Sequence, residues 1–209
     1  MSRTEFRDAS GRRTLHKPEW LQGETPAYSG KRVLDIGCSY KQRGEVSSFY
    51  LSLDLSRQRG PMVVGDCHHL PVRDGSVDVV FMFSLLEHVP DPPRAVREAR
   101  RVLRPGGRLH VTVPFLNFYH DEVDYYRWTE DGLRVLLREF QVVRLERTAA
   151  GLFSVLLDWM LSGTFVFPRP VATAAQAVLR LLRRIAGRVD VARDRFYGFL
   201  TAEAVKPAG

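Results

Sequence analysis

Short runs of aliphatic and β-branched residues alternate with helical periodicities and with turns rich in Gly and Pro along most of the chain. This alternation is typical of an α/β protein with an open, mostly parallel sheet. Seven runs have the apolar content of buried or half-buried strands. They cover residues 32–36, 49–53, 62–64, 77–83, 108–113, 141–146 and 199–205.

Two helices are indicated by the residues at their starts. Asp91 can cap a helix that begins with Pro92 and Pro93, because the first helical positions tolerate a missing amide donor. The Pro-Gly-Gly stretch at 105–107 is expected to end this helix. Thr129 is the capping candidate for a second helix.

The segment between the last two strands is too long to be an ordinary loop. We therefore expect residues 149–194 to form a helical insertion. Within it, residues 172–185 place apolar side chains on one face and arginines on the other, which favours a packed helix with a solvated basic face. Contact with a membrane surface is the open alternative. The expected organisation is a cap segment at 1–30, a core at 31–148, the insertion, and a final strand with tail at 195–209.

Composition narrows the class of protein without naming a partner. The 209 residues are 44% hydrophobic and 26% charged, which excludes a disordered or fibrous chain. The formal net charge of +7 permits a nucleic-acid or membrane partner but does not require one. Cys38 and Cys67 are too few for a disulfide scaffold, and residues 1–20 contain no apolar run, so we expect a cytoplasmic protein.

Acidic residues stand near the ends of three successive predicted strands. Asp35 precedes Gly37, whose missing Cβ lets a ligand approach the backbone. Asp54 and Asp66 close the second and third strands, where they can accept hydrogen bonds from ribose hydroxyls and an adenine amine. Taken singly, each carboxylate is about as often a turn former or a helix cap. A dinucleotide site is excluded because G-x-G-x-x-G does not follow the first strand.

Six stretches, in this order and spacing, resemble the class I S-adenosylmethionine-dependent methyltransferases, in particular the small-molecule group similar to ubiquinone-pathway enzymes. They are Val33-Leu-Asp-Ile-Gly-Cys, Leu53-Asp54, Gly65-Asp66 with Leu70-Pro71, Ser76-Val-Asp-Val-Val-Phe, Leu86-Glu87-His88-Val89, and Val102-Leu-Arg-Pro-Gly-Gly-Arg-Leu. The resemblance implies a Rossmann-like, seven-stranded, mostly parallel sheet with the last strand antiparallel and helices on both faces. It also implies S-adenosyl-L-methionine as cofactor and S-adenosyl-L-homocysteine as product.

The resemblance also implies a set of cofactor contacts. Gly37 and its turn hold the methionine part, and Asp35 orders the amino end. Asp54 binds the ribose, while Asp66 with Cys67 faces the adenine. Ser39 stands where the common G-x-G-x-G turn has its second glycine. The remaining expected cofactor residues are Cys38, Ser39, Leu55, Phe83, Ser84 and Leu85, the last three as the wall around the sulfonium.

The segment that follows the fifth strand, 114–129, is dense in His, carboxylate, Tyr and Arg side chains. It resembles a His-acid-x-x-Asp-Tyr-Tyr-Arg-aromatic-Thr signature of a bacterial methyltransferase subgroup associated with surface-glycan or secondary-metabolite pathways. His120 is the preferred base, because its unperturbed pKa lies near neutrality, and Asp121 or Asp124 can orient it. The alternative is a structural latch in which Arg127 pairs with Asp124 or Glu122. The expected catalytic set is His120, Asp121, Tyr125 and Tyr126, and the expected substrate-binding set is Trp20, Phe115, Asn117, Arg127 and Trp128.

We expect no metal site, because Cys67, His68 and His69 are adjacent in a turn and such residues rarely converge on one ion. We expect His88 to be structural or next to the cofactor rather than catalytic.

The predicted function is methyl transfer to an oxygen or nitrogen of a small-molecule acceptor, a secondary metabolite or glycan precursor, by a monomer or homodimer. One alternative is a non-methylating cyclase that keeps the cofactor. The other is an RNA methyltransferase, which we disfavour because Phe83-Ser84-Leu85-Leu86 stands where such enzymes carry N/D-P-P-Y/F.

Overall fold

The computed structural model of the protein describes residues 28–38, 46–117, 119–163, 175, 178, 181–182, 191 and 195–208. Trp20, Ser39 and nearly all of the cap segment 1–30 lie outside the described residues, so their expected roles remain predictions.

Seven strands form one sheet. Their order is β3-β2-β1-β4-β5-β7-β6, and β7 runs antiparallel to the other six strands. The strands are β1 (Arg32–Ile36), β2 (Phe49–Asp54), β3 (Val63–Val64), β4 (Val77–Phe83), β5 (Leu103–Pro114), β6 (Gln141–Ala150) and β7 (Tyr197–Val205). This architecture confirms the predicted α/β sheet, including the antiparallel last strand.

The start of β5 differs from the sequence prediction. The strand begins at Leu103, which pairs with Val77, and the first helix has already ended one residue earlier. The stretch at 105–107 therefore ends no helix. Instead, Gly106 donates its N–H to the carbonyl of Lys206, and the N–H of Lys206 donates to the carbonyl of Gly107. Strand-type pairing with the C-terminal segment satisfies these backbone groups, where a helix end had been expected.

Three α-helices are described: α1 (Pro92–Val102), α2 (Glu130–Leu136) and α3 (Leu152–Gly163). Both predicted caps are confirmed. The Asp91 carboxylate accepts from the N–H of Arg94 at 3.0 Å, and the Thr129 hydroxyl accepts from the N–H of Gly132 at 3.1 Å.

Helix α3 lies inside the expected insertion. Residues 175, 178, 181 and 182 are helical as well, and the rest of 164–190 lies outside the described residues. Among the described residues, no helix has the length and apolar content needed to cross a membrane.

Apolar side chains cover both faces of the sheet. Leu34 and Ile36 of β1 point into the larger core cluster, and Val33 points into a smaller one on the other face with Phe81. Because side chains alternate along a strand, Asp35 shares the face of Val33. The carboxyl ends of β1 to β5 meet at one edge of the sheet, and the loops that leave this edge carry the predicted site.

Candidate cofactor and acceptor site

The turn after β1 is packed tightly against the segment after β4. Gly37 has φ +69°, and a Cβ at this position would lie 2.7 Å from Cδ1 of Leu85. The Gly37 N–H donates to the carbonyl of Leu53 at 2.8 Å, which ties the turn to β2. The positive φ and the close contact with Leu85 both require glycine at this position. Gly37 and Leu85, two of the expected cofactor residues, are therefore neighbours in the fold.

Asp35 is held by a partner that the sequence analysis missed. Its side chain is buried, and Oδ2 accepts a hydrogen bond from the hydroxyl of Tyr50 at 2.7 Å. Tyr50 lies on the neighbouring strand β2, two positions before the residue that pairs with Asp35, namely Ser52. No motif marks a Tyr at this point, since only the sheet register brings its hydroxyl to the carboxylate.

Asp54 ends β2 with a buried carboxylate. Oδ1 accepts from the N–H of Ser56 at 2.9 Å, and Oδ2 lies 3.8 Å from Nη1 of Arg59. The next residue, Leu55, exposes 74% of its surface at the same edge of the sheet. The buried Asp54 carboxylate suits the hydroxyls of a ribose, and the exposed Leu55 side chain beside it suits the face of the attached adenine ring.

Asp66 is half-exposed and carries a charge stabilised by His68. Oδ1 accepts from the backbone N–H of His68 at 2.8 Å and lies 2.7 Å from its Nδ1, and this bonding lowers the pKa of the carboxyl. The neighbouring Cys67 thiol is buried, and burial together with Asp66 raises its pKa to about 12. The thiol is therefore neutral and unreactive at ordinary pH. Like Cys38, it is a buried thiol rather than part of a disulfide.

The segment after β4 departs from relaxed geometry. Phe83 stacks on Phe81 with ring centroids 5.1 Å apart, and Ser84 follows with φ +48°, which is rare for a residue with a side chain. The Ser84 N–H donates to the carbonyl of Thr112 at 2.8 Å. This contact to β5 fixes Ser84 and Leu85 close to the turn at Gly37.

The segment 114–129, here called the acceptor loop, contains an ordered chain of ionisable side chains. His120 Nδ1 lies 3.0 Å from Oδ2 of Asp124, and this same oxygen accepts from the His120 backbone N–H. Both carboxylate oxygens of Asp124 also receive the guanidinium of Arg127, with Nη2 2.6 Å from Oδ2. The pKa of Asp124 is lowered to about 2, and the hydrogen bond from Arg127 is the largest cause. Of the two acids offered as partners for His120, the structure selects Asp124.

Asp121 lies beside a different histidine. Its Oδ2 is 3.8 Å from Nε2 of His88. It has φ +61° and an exposed side chain. The rings of His88 and His120 meet edge to face with centroids 4.9 Å apart. His88 is thus placed beside the expected base, in a position that its sequence motif alone did not reveal.

Glu87 is the buried acid at the centre of this region. Its side chain is fully buried, and burial raises its pKa to about 8. The Glu87 carbonyl accepts from the N–H of Tyr125 at 2.7 Å, which fastens the acceptor loop to the 3-10 turn at Leu86–His88. From the sequence, Glu87 was named only as part of the motif Leu86-Glu87-His88-Val89 and was given no role.

The aromatic residues of the loop divide into two groups. Tyr125 and Tyr126 are exposed, and the Tyr126 hydroxyl donates to the carbonyl of Pro90 at 2.9 Å. Phe115 stacks on Tyr197 at 4.5 Å and packs against the larger core, as does Trp128. Arg127 makes the contact with Asp124 that the latch interpretation expects, and its Nε also donates to the carbonyl of Asn117. The tyrosines are accessible, and their role in binding an acceptor stays a prediction.

Residues 34–111 match the family model described as a methyltransferase domain. The strand order and the turn at Gly37 agree with that match. This match supports a class I S-adenosylmethionine-dependent methyltransferase domain in this part of the chain. The fold and class expected from the sequence are confirmed.

Curated relatives match the same part of the chain. An uncharacterised 37.1 kDa protein in transposon TN4556 of Streptomyces fradiae is 55% identical over 108 residues, 42% of this chain and 31% of that protein. A ubiquinone biosynthesis O-methyltransferase of Ralstonia nicotianae is 31% identical over 112 residues, 44% of this chain and 46% of the relative. The 27-O-demethylrifamycin SV methyltransferase of Amycolatopsis mediterranei is 34% identical over 118 residues, 46% of this chain and 43% of the relative. The chain thus spans less than half the length of these relatives.

Solved structures share the fold over a larger part of the chain. The [4+2]-cyclase SpnF has a TM-score of 0.56 at 20% identity, covering 91% of this chain and 80% of its own. Phosphoethanolamine N-methyltransferase 2 of Haemonchus contortus, in complex with S-adenosyl-L-methionine, has a TM-score of 0.58 at 17% identity, covering 91% of this chain and 53% of its own.

The cofactor of this class is S-adenosyl-L-methionine, as the sequence predicted. The described residues fit it in two respects. The turn at Gly37 lies at the carboxyl end of β1 with a left-handed φ and packs against Leu85, and the buried Asp54 and the ionised Asp66 stand at the carboxyl ends of adjacent strands. These are the acceptors that ribose hydroxyls and an adenine amine require.

Proposed function

We propose that the methyltransferase domain methylates an oxygen of a small-molecule acceptor, and that His120 takes the acceptor proton. The observation that carries the proposal is the chain from His120 to Asp124 to Arg127, in a loop that leaves the same sheet edge as the cofactor turn at Gly37. Two of the relatives bear names of methyltransferases acting on ubiquinone precursors and a rifamycin, which supports a small-molecule acceptor of secondary or cofactor metabolism.

The first task of the protein is to orient the cofactor. When bound, S-adenosyl-L-methionine supplies an electrophilic methyl group on a sulfonium. We assign Gly37 to the methionine part, Asp35 to its amino end, Asp54 to the ribose, and Asp66 to the adenine. Phe83, Ser84 and Leu85 form the wall on the sulfonium side. Rate enhancement in such a displacement comes largely from holding the reacting atoms in line and excluding water.

The second task is to remove the acceptor proton. A hydroxyl is a weak nucleophile, so its oxygen attacks the methyl carbon more readily as the O–H proton leaves. The Asp124 carboxylate accepts from Nδ1 of His120 and so makes Nε2 the nitrogen that can take a proton. Methyl transfer from the bound cofactor would leave S-adenosyl-L-homocysteine and a methylated oxygen on the acceptor, while Nε2 of His120 would hold the proton that left the hydroxyl.

The accessible tyrosines give the acceptor its surface. Tyr125 and Tyr126 lie side by side, with ring centroids 6.0 Å apart, and Tyr126 lies 5.6 Å from the ring of Trp128. Exposed aromatic rings bind the flat face of a sugar or an aromatic ring. We assign Tyr125 and Tyr126 to this contact, and Arg127 to holding the loop rather than to direct substrate binding.

The test is the formation of S-adenosyl-L-homocysteine in a panel of hydroxylated aromatic and glycan-precursor acceptors, with product mass measured in parallel. A mass gain of one methyl group that His120→Ala suppresses, with cofactor binding retained, supports the proposal. The matched control is Tyr119→Phe, an exposed residue of the same loop. Conversion of a substrate without mass gain and without S-adenosyl-L-homocysteine would instead support a cyclase.

A further inference from the structure

Three side chains from two distant parts of the chain converge beside the acceptor loop. Glu87 and His88 belong to the 3-10 turn after β4, and His120 follows β5. Each offers one potential ligand atom, and these atoms all lie within 4.8 Å of one another. These residues differ from Cys67, His68 and His69, the group for which the sequence predicted no metal site.

Both histidines are held in the way that metal-binding histidines are held. His88 Nδ1 lies 2.6 Å from the carbonyl oxygen of Val123, and His120 Nδ1 lies 3.0 Å from the carboxylate of Asp124. Carbonyl and carboxylate oxygens only accept, so each Nδ1 carries the hydrogen and each Nε2 carries the lone pair. A carbonyl or carboxylate behind the other ring nitrogen fixes the tautomer and orientation of imidazole ligands.

The buried acid is the second, independent observation. Glu87 is fully buried, and among the residues that the structure describes, neither of its carboxylate oxygens has a hydrogen-bond partner. Its Oε1 points toward His88, 3.9 Å from Nε2. A buried carboxylate that accepts no hydrogen bond is costly, and a cation held between it and the imidazoles removes that cost.

We propose that Glu87, His88 and His120 bind a first-row divalent transition-metal ion, with Asp121 available as a further ligand. Two imidazole nitrogens with one or two carboxylates suit Zn²⁺, Co²⁺ or Mn²⁺, whereas Mg²⁺ and Ca²⁺ prefer oxygen ligands. Asp121 adds a carboxylate oxygen 3.8 Å from Nε2 of His88. Three protein ligands leave the fourth position of a tetrahedral ion for water or an acceptor oxygen, whereas Asp121 as a fourth ligand would close a tetrahedral site.

This site gives Nε2 of His120 two alternative uses. In the metal-free protein it is the proton acceptor proposed above, and in the metal-bound protein it is a ligand. A bound metal ion would then lower the pKa of a coordinated hydroxyl itself. The inference concerns binding of a cation, and it stands or falls independently of methyl transfer.

The experiment is a titration of the chelator-treated full chain with Co²⁺, read by visible absorption, followed by displacement with Zn²⁺ measured by calorimetry. We expect one equivalent to bind. His88→Ala, His120→Ala and Glu87→Gln should each weaken binding by at least about tenfold, and Asp124→Asn by about tenfold through the imidazole it supports. The matched control, His69→Ala, replaces an exposed histidine outside the cluster and should bind like the wild type.

Absence of stoichiometric binding by the wild type overturns the inference, and so does unchanged affinity in both His88→Ala and His120→Ala. Loss of binding in His68→Ala instead would move the site to Asp66, Cys67 and His68, the other group of potential ligands in the described part of the chain. Because His88→Ala can disturb folding, circular dichroism accompanies each variant, and Glu87→Gln preserves the shape of the buried side chain.

Discussion

The imidazole of His120 rests on the carboxylate of Asp124, with Nδ1 3.0 Å from Oδ2, and Arg127 holds that carboxylate from the other side. This relationship sets the tautomer of the proposed base. In Asp124→Asn, the amide can donate to Nδ1 and favour the wrong tautomer. We expect kcat to fall by about 10²-fold, within the usual range for losing general-base assistance.

The cofactor dissociation constant, measured by calorimetry, should change little in Asp124→Asn. Glu122→Gln is the matched control, since it removes an exposed acid from the same loop and should leave kcat near the wild-type value. Equal losses in the two variants would show that the loop responds to net charge rather than to the contact with His120.

The contact of Gly37 with Leu85 in the turn after β1 can be tested with a pair of glycine variants. In Gly37→Ala, the new methyl group would meet Leu85 at 2.7 Å and the backbone would retain an unfavourable φ of +69°. Gly60→Ala has the same φ of +69° but nothing within 4 Å of the added carbon. The second variant therefore measures the backbone cost alone, about 1 to 2 kcal/mol.

We expect Gly37→Ala to lower the free energy of unfolding by more than Gly60→Ala and to weaken cofactor binding by at least about tenfold. Urea unfolding and calorimetry with S-adenosyl-L-methionine measure the two effects. If both variants bind cofactor as the wild type does, the turn is not part of the cofactor site.

The hydroxyl of Tyr50 reaches the buried carboxylate of Asp35 at 2.7 Å. Removing it in Tyr50→Phe takes a hydrogen bond from a buried charged acceptor, which costs about 1 to 3 kcal/mol of stability. We also expect weaker cofactor binding, because the carboxylate that orders the amino end loses its support. Tyr119→Phe removes an exposed hydroxyl, which donates only to the carbonyl of Glu122, and should change the midpoint of urea unfolding by far less.

The buried ring of His110 predicts how stability depends on pH. Burial, with a smaller effect of Arg108, lowers the pKa of His110 to about 3, and its Nε2 lies 2.6 Å from the hydroxyl of Tyr28. The unfolded chain has the ordinary pKa near 6.5 and therefore binds a proton first as the pH falls. Stability from this residue is complete above about pH 6.5 and declines progressively as the pH falls toward 3.

Urea unfolding at pH 7.5 and pH 5.5 tests this, in a range where most carboxylates remain ionised. Glu87, whose pKa is raised to about 8, stabilises the folded protein as the pH falls through the same range, so the prediction concerns the difference between the two proteins. On acidification, the stability of the wild type should fall relative to that of His110→Asn, whatever the absolute stability of either protein. His69→Ala, which removes an exposed histidine, should keep the wild-type difference. A wild-type difference retained in full by His110→Asn would contradict the assignment.

Local pattern was sufficient for most of the fold. Apolar runs located all seven strands, and the caps at Asp91 and Thr129 located two helices, because these signals act within a few residues. The start of β5 was misplaced because a Pro-Gly-Gly stretch usually ends a helix, and the backbone of this stretch pairs instead with Lys206, far along the chain. Pairing at that distance leaves no trace in the local sequence.

Some candidate site residues could likewise be located from local pattern, and others could not. Acidic strand ends and Gly37 were found because strand position fixes them at one edge of a parallel sheet. The proximity of Glu87 and His88 to His120 depends on how the acceptor loop returns, through the bond from the Tyr125 N–H to the Glu87 carbonyl and the contact of His88 with Val123. Residue types alone could not reveal that return.

The position of β7 between β5 and β6 has a consequence for the order in which the protein can be completed on the ribosome. Strand β6 pairs with β7, and β7 pairs with β5, so β6 reaches the sheet only through a strand synthesised some fifty residues later. Until Tyr197–Val205 has left the exit tunnel, the nascent chain carries β5 as an open edge beside an unattached β6. Such an edge is a template for pairing with other chains, so the arrival of β7 removes this route to aggregation at β5.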